Sequence, residues 1–122
     1  RHQAFAEDAF KFLDTMGDQY DLIILDPPAF AKHKKVLNNA LQGYRKLNAK
    51  AFEKIRPGGI LFTFSCSQVV SKENFRLAVF SAAAQSGRNV RILHQLTQPA
   101  DHPVNIYHPE GEYLKGLVLY VE

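Results

Sequence analysis

Two short runs constrain this chain most: YDLIIL at residues 20–25 and ILFTF at 60–64. Both are apolar without the alternation of a strand that has one wet face. Such runs belong to parallel strands buried on both sides, and parallel strands need helices to connect them. Both also stop on unusual residues. The first runs into Asp26-Pro27-Pro28, and proline cannot donate to a sheet ladder. The second runs into Ser65-Cys66-Ser67.

The intervening segments supply the helices. Residues 36–55 carry Leu37, Leu41, Tyr44, Leu47, Ala51 and Ile55 at spacings of three and four, with Arg45, Lys46, Lys50 and Lys54 mostly off that stripe. RPGG then turns the chain. A second helix is expected at 71–87, opened by Ser71 and closed by Gly87, with Phe75, Val79, Ala82 and Ala83 inward. A short helix at 9–16 has Asp8 as its N-cap, because a carboxylate accepts the unpaired N–H groups of a first turn. A strand is expected at about 3–6. VRILHQL (90–96) and EYLKGLVLYV (112–121) read as two more strands, able to pair as a long hairpin. The polar loop between them is long, and long loops in compact domains often carry function. Strands alternating with helices imply an open, mostly parallel α/β sheet in one domain.

Composition narrows the class. With 46% apolar residues in 122, the chain can bury a core. A net charge of +3 fits a polyanionic partner or an ordinary surface equally. One cysteine cannot form an internal disulfide, which fits a reducing compartment, and a cytoplasmic location is expected. No stretch nears the roughly 20 apolar residues of a membrane-spanning helix.

In an open α/β sheet, ligands bind beyond the carboxyl ends of the strands. Asp-Pro-Pro there presents carbonyl acceptors without N–H donors. Those carbonyls and the Asp26 carboxylate suit a flat group bearing an amine, such as a nucleobase, and Phe30 can bracket it. Equally, Asp-Pro-Pro can simply end a strand and Phe30 can be core. Cys66 is either a small buried hydrophobe or a nucleophile beside an acid on the next strand tip. The basic cluster Lys32, His33, Lys34 and Lys35 suits phosphates, or a solvated helix start.

Four motifs in register, DPPAF, GGILFTFSCS, ADHP and PEGEYLKG, resemble the C-terminal part of the large-subunit ribosomal RNA cytosine-C5 methyltransferases. These are class I S-adenosylmethionine enzymes, usually with a PUA RNA-binding domain. The resemblance covers essentially all 122 residues and implies the C-terminal portion of a Rossmann-like sheet, parallel strands with an antiparallel terminal hairpin, its first two strands missing. Residues 1–122 are then a truncated catalytic domain, from about the third strand onward. The family's strand order is 3-2-1-4-5-7-6, so YDLIIL, its fourth strand, loses a neighbour. An exposed edge near residues 20–25 invites a homodimer. The orphaned strand at 3–6 is expected to become irregular, to pair with that edge, or to join a partner molecule.

By position, the resemblance implies that Cys66 is the nucleophile and that Asp26 faces the target base with Pro27, Pro28 and Phe30. Asp8 with Ala9, and Asp26, would meet the cofactor S-adenosyl-L-methionine. Lys32, Lys34, Lys35 and His102 would meet ribosomal RNA, and no metal is implied. Thiolate addition at cytosine C6 makes C5 nucleophilic enough to take a methyl group, splitting one hard step into two. Asp26, a water or His102 would serve the final proton removal. The segment alone is expected to be inactive and to bind cofactor weakly. An exocyclic-amine nucleic-acid methyltransferase and a non-catalytic RNA-binding fragment are the rival readings.

Overall fold

The computed structural model describes residues 3–18, 20–30 and 36–122. Helix α1 (Ala9–Thr15) precedes strand β1 (Leu22–Leu25), helix α2 (Leu37–Lys54), strand β2 (Gly59–Ser65), helix α3 (Lys72–Ser86) and strands β3 (Val90–Leu96) and β4 (Lys115–Val121). The sheet order is β1-β2-β4-β3. β1 and β2 run parallel, and β4 lies antiparallel to both β2 and β3. This is the order 4-5-7-6 that the resemblance implied, and the β3–β4 pair is the expected hairpin, with a register shift between Ile92 and His94.

Local chemistry sets the element ends. The Asp8 carboxylate accepts from the backbone N–H groups of Phe10 and Lys11 and starts α1. The Ser71 hydroxyl accepts from Asn74 N and starts α3, and Gly87 ends it at φ 71°, where a side chain would be strained. At the end of α2 the Arg88 guanidinium donates to the carbonyls of Phe52 and Ile55, which no helical N–H reaches. The α2 stripe packs as its spacing requires, with Tyr44, Leu47, Ala51, Phe52 and Ile55 all buried.

One face of the sheet makes the core. Leu61 pairs with Leu119 and Thr63 with Leu117, and these residues are buried with the inward faces of α2 and α3. Ile60, Phe62 and Phe64 point to the other face and are half-buried. Burial on both faces, expected from the apolar runs, therefore holds for one face only. β1 departs furthest: Leu22 is 52% exposed and Ile24 61%. It is the edge strand, and the helices lie on the side of Leu25.

The strand expected at 3–6 does not form, and residues 3–7 carry no regular structure. β1 pairs with β2, and residues 3–7 make no ladder with its other edge. Of the three outcomes foreseen for that segment, the irregular one is observed.

Candidate active site

β1 delivers Asp26 to the carboxyl edge of the sheet. Leu25, the last residue of β1, is buried against the core, and Asp26 beyond it is exposed. Pro27 and Pro28 follow with no N–H to extend the ladder. Phe30 then turns back onto α2 and meets Tyr44 edge-on, with ring centroids 4.7 Å apart. Gly43 leaves room for this approach, since a Cβ there would lie 3.3 Å from the Phe30 ring.

A half-open cavity of about 450 Å³ sits at this edge. Asp8, Ala9 and Phe10 line one side, and Asp26, Pro27, Pro28 and Phe30 the other. Thus the residues expected around cofactor and base, far apart in sequence, share one concavity. Both capping bonds to Asp8 end on Oδ1, at 2.9 and 3.3 Å. Oδ2 takes no part in the capping.

β2 delivers the Ser-Cys-Ser turn beside it. Leu25 pairs with Thr63, so Asp26 and Cys66 leave adjacent strands at the same edge. Cys66 is half-buried and lies outside the cavity lining. Its flanking serines are buried. The Ser65 hydroxyl donates to the Tyr44 phenol oxygen at 2.9 Å and accepts from Ser67 N at 3.3 Å. From β4, the Lys115 ammonium donates to the Ser67 carbonyl at 2.8 Å.

Tyr44 joins the two strand ends. Its hydroxyl meets Ser65 beside the cysteine and a backbone group of Phe30 in the proline loop. Burial raises its pKa above the ordinary tyrosine value, the bonds from Ser65 and Phe30 oppose that, and the Cys66 charge adds to it. Sequence reasoning read Tyr44 as core and gave Lys115 no role. The available signals were a phenol on a buried stripe, which must find a partner, and a lysine inside an apolar strand.

The remaining expected residues are less converged. His102 is exposed on the β3–β4 loop, where its carbonyl accepts from the Gln98 amide at 3.1 Å. That loop emerges at the same edge, because β3 ends and β4 begins there. Lys32, Lys34 and Lys35 lie outside the described residues. Among the described residues no His, Cys, Asp and Glu cluster could hold a metal, and no helix is long and apolar enough to cross a membrane.

No family model matches the chain. A relative from Tolumonas auensis, ribosomal RNA large subunit methyltransferase I, is 47% identical over 93% of the chain. Its namesake from Aeromonas hydrophila is 44% identical over 96%. The chain spans about 30% of the length of these relatives. Among solved structures, SMU.776, assigned as a methyltransferase and solved with SAH, superposes on 94% of the chain with a TM-score of 0.75 at 23% identity. The chain covers 30% of that protein. The chain has part of a Rossmann-like methyltransferase fold. In that methyltransferase sheet, the concavity of Asp8 and Asp26 and the Ser-Cys-Ser turn occupy one carboxyl edge.

Proposed function

We propose that the full protein is an S-adenosylmethionine-dependent methyltransferase that makes 5-methylcytosine in large-subunit ribosomal RNA through a cysteine adduct. Residues 1–122 then supply its base-facing half. The observation that carries this reading is the exit of Asp26 and Cys66 from adjacent parallel strands at one edge, tied together by Tyr44. The names of the relatives support the RNA substrate.

The residues present fit the cofactor. Asp8 Oδ2 suits an adenine amine, and Ala9, Phe10 and Pro27 offer an apolar lining to a flat ring. When bound, S-adenosylmethionine supplies an electrophilic methyl group.

This chain's own residues prepare the base to receive it. The Cys66 thiolate forms a bond to C6 of the cytosine, and the π electrons of the C5–C6 bond move into the ring. The Asp26 carboxyl donates its O–H to N3, where part of that charge develops. Pro27, Pro28 and Phe30 flank the base. Once C5 is methylated, its proton leaves to a base, and the returning electron pair expels the thiolate. Asp26 or His102 serves that last step.

Methyl transfer from labelled cofactor to ribosomal RNA by the full-length protein, with the product base identified, tests the reading. Label on 5-methylcytosine is expected, with no transfer by Cys66→Ala and a loss of about 100-fold in Asp26→Asn. Full activity in Cys66→Ala would instead favour methylation of an exocyclic amine, which needs no nucleophile. Salt-dependent RNA binding without any transfer would favour a binding module.

A further inference from the structure

Lys115 opens β4 opposite Ser65 in the sheet register. It is only 6% exposed, and Leu117, Leu119 and Val121 follow it on the same buried face. An ammonium so placed must have its donors satisfied. The Nζ atom donates to the carbonyls of Ser67 and Tyr113, at 2.8 and 2.7 Å. Lys115 therefore holds both neighbours of Cys66, by strand pairing at Ser65 and by its ammonium at the Ser67 carbonyl.

We propose that Lys115 is a positioning residue for Cys66: its clamp on Ser67 fixes the turn that presents the thiol and sets a positive charge beside the attacking sulfur. This rests on the reading of Cys66 as nucleophile.

The electrostatic surroundings agree with the placement. Burial lowers the Lys115 pKa, the Cys66 charge raises it, and Lys72 lowers it further. The Lys115 ammonium reaches the carbonyl of Ser67, the residue next to Cys66. Among the described residues, other charged or titratable neighbours are Tyr44 from α2 and, around Lys115, Lys72, Glu73 and Arg76 from α3. Lys72 is itself paired with Glu112 at 3.1 Å. The Lys115 ammonium bonds directly to the Ser-Cys-Ser turn. In the addition step the thiol proton passes to solvent, the Sγ–C6 bond forms, and Lys115 keeps its protons.

The test is the rate of Cys66 alkylation by iodoacetamide against pH, followed by mass spectrometry in the full-length protein. Wild type, Lys115→Met and Lys115→Arg are compared, with thermal unfolding as a check on folding. Lys115→Met is expected to react about tenfold more slowly near neutrality, with its profile displaced to the alkaline side, while Lys115→Arg stays near wild type. A folded Lys115→Met whose profile superimposes on wild type overturns the inference. Should that variant fail to fold, Lys115→Gln takes its place, and an unshifted profile in it overturns the role of the charge beside the thiol. Alkylation needs neither RNA nor cofactor. Wild-type protein that shows the Lys115 dependence yet modifies no cytosine sinks the proposed reaction and leaves the coupling standing.

Discussion

The Ser65 hydroxyl donates to the Tyr44 phenol oxygen across 2.9 Å, with both side chains buried. That bond runs from the end of β2 to the middle of α2, and Tyr44 in turn packs on Phe30 beside the proline loop. Two strand ends that carry different chemistry are thereby held in one arrangement by a residue that performs no chemistry.

Tyr44→Phe should leave the Ser65 hydroxyl without its acceptor. A buried hydrogen bond removed this way costs about 1 to 3 kcal/mol. Because the same bond orients the cysteine turn, kcat for methyl transfer should fall more than KM rises. Denaturant unfolding and steady-state kinetics on the full-length variant check both; a change in KM alone would contradict the positioning role.

Tyr44 also predicts an alkaline limb. Its pKa is raised in the fold, so the folded state holds the phenol proton more tightly than the unfolded chain does. The stabilisation is complete below pH 10.0, the ordinary value, and is lost as pH climbs through the raised one. Lys115, lowered from 10.5, acts in the opposite sense in a neighbouring window. Comparing wild type with Tyr44→Phe cancels the lysine effect. The stability difference between them should shrink above pH 10, and a difference that stays flat to pH 11.5 would refute the assignment.

Thr63 is 1% exposed, and its hydroxyl has no hydrogen-bond partner. Thr63→Val keeps the shape and removes a desolvated polar group, so stability should rise by about 1 kcal/mol. Thermal unfolding of the variant is the measurement, and a fall in Tm would mean that the hydroxyl is satisfied in solution.

Gly116 sits opposite Phe64, and a Cβ there would come within 2.5 Å of the ring. Gly116→Ala should cost about 1 to 3 kcal/mol by overpacking. Phe64→Leu in the same chain should recover part of it. Equal losses in single and double variants would show that the ring is not the obstacle.

Leu22 and Ile24 stand exposed on the edge strand β1. Residues 1–122 expressed alone should self-associate through this edge, and Ile24→Lys should suppress it. Sedimentation velocity separates the cases; an unmodified segment that stays monomeric at high concentration would remove the edge as an interface.

The elements were legible in the amino-acid sequence because their causes are local. Asp8 and Ser71 cap the helices they precede, Gly87 takes the left-handed conformation that ends α3, and continuous apolar runs mark the strands. The Asp-Pro-Pro and Ser-Cys-Ser ends were visible for the same reason, since each is a contiguous motif. What only the tertiary structure decided depends on partners distant in the chain. The segment at 3–6 makes no ladder with the open edge of β1 and stays irregular. Whether an apolar strand face is buried depends on which side the helices cover, and Leu22 and Ile24 lie on the other. Tyr44 and Lys115 acquire their roles from groups tens of residues away, Ser65 and Ser67, because a buried phenol or ammonium must take whatever acceptor the fold brings within reach.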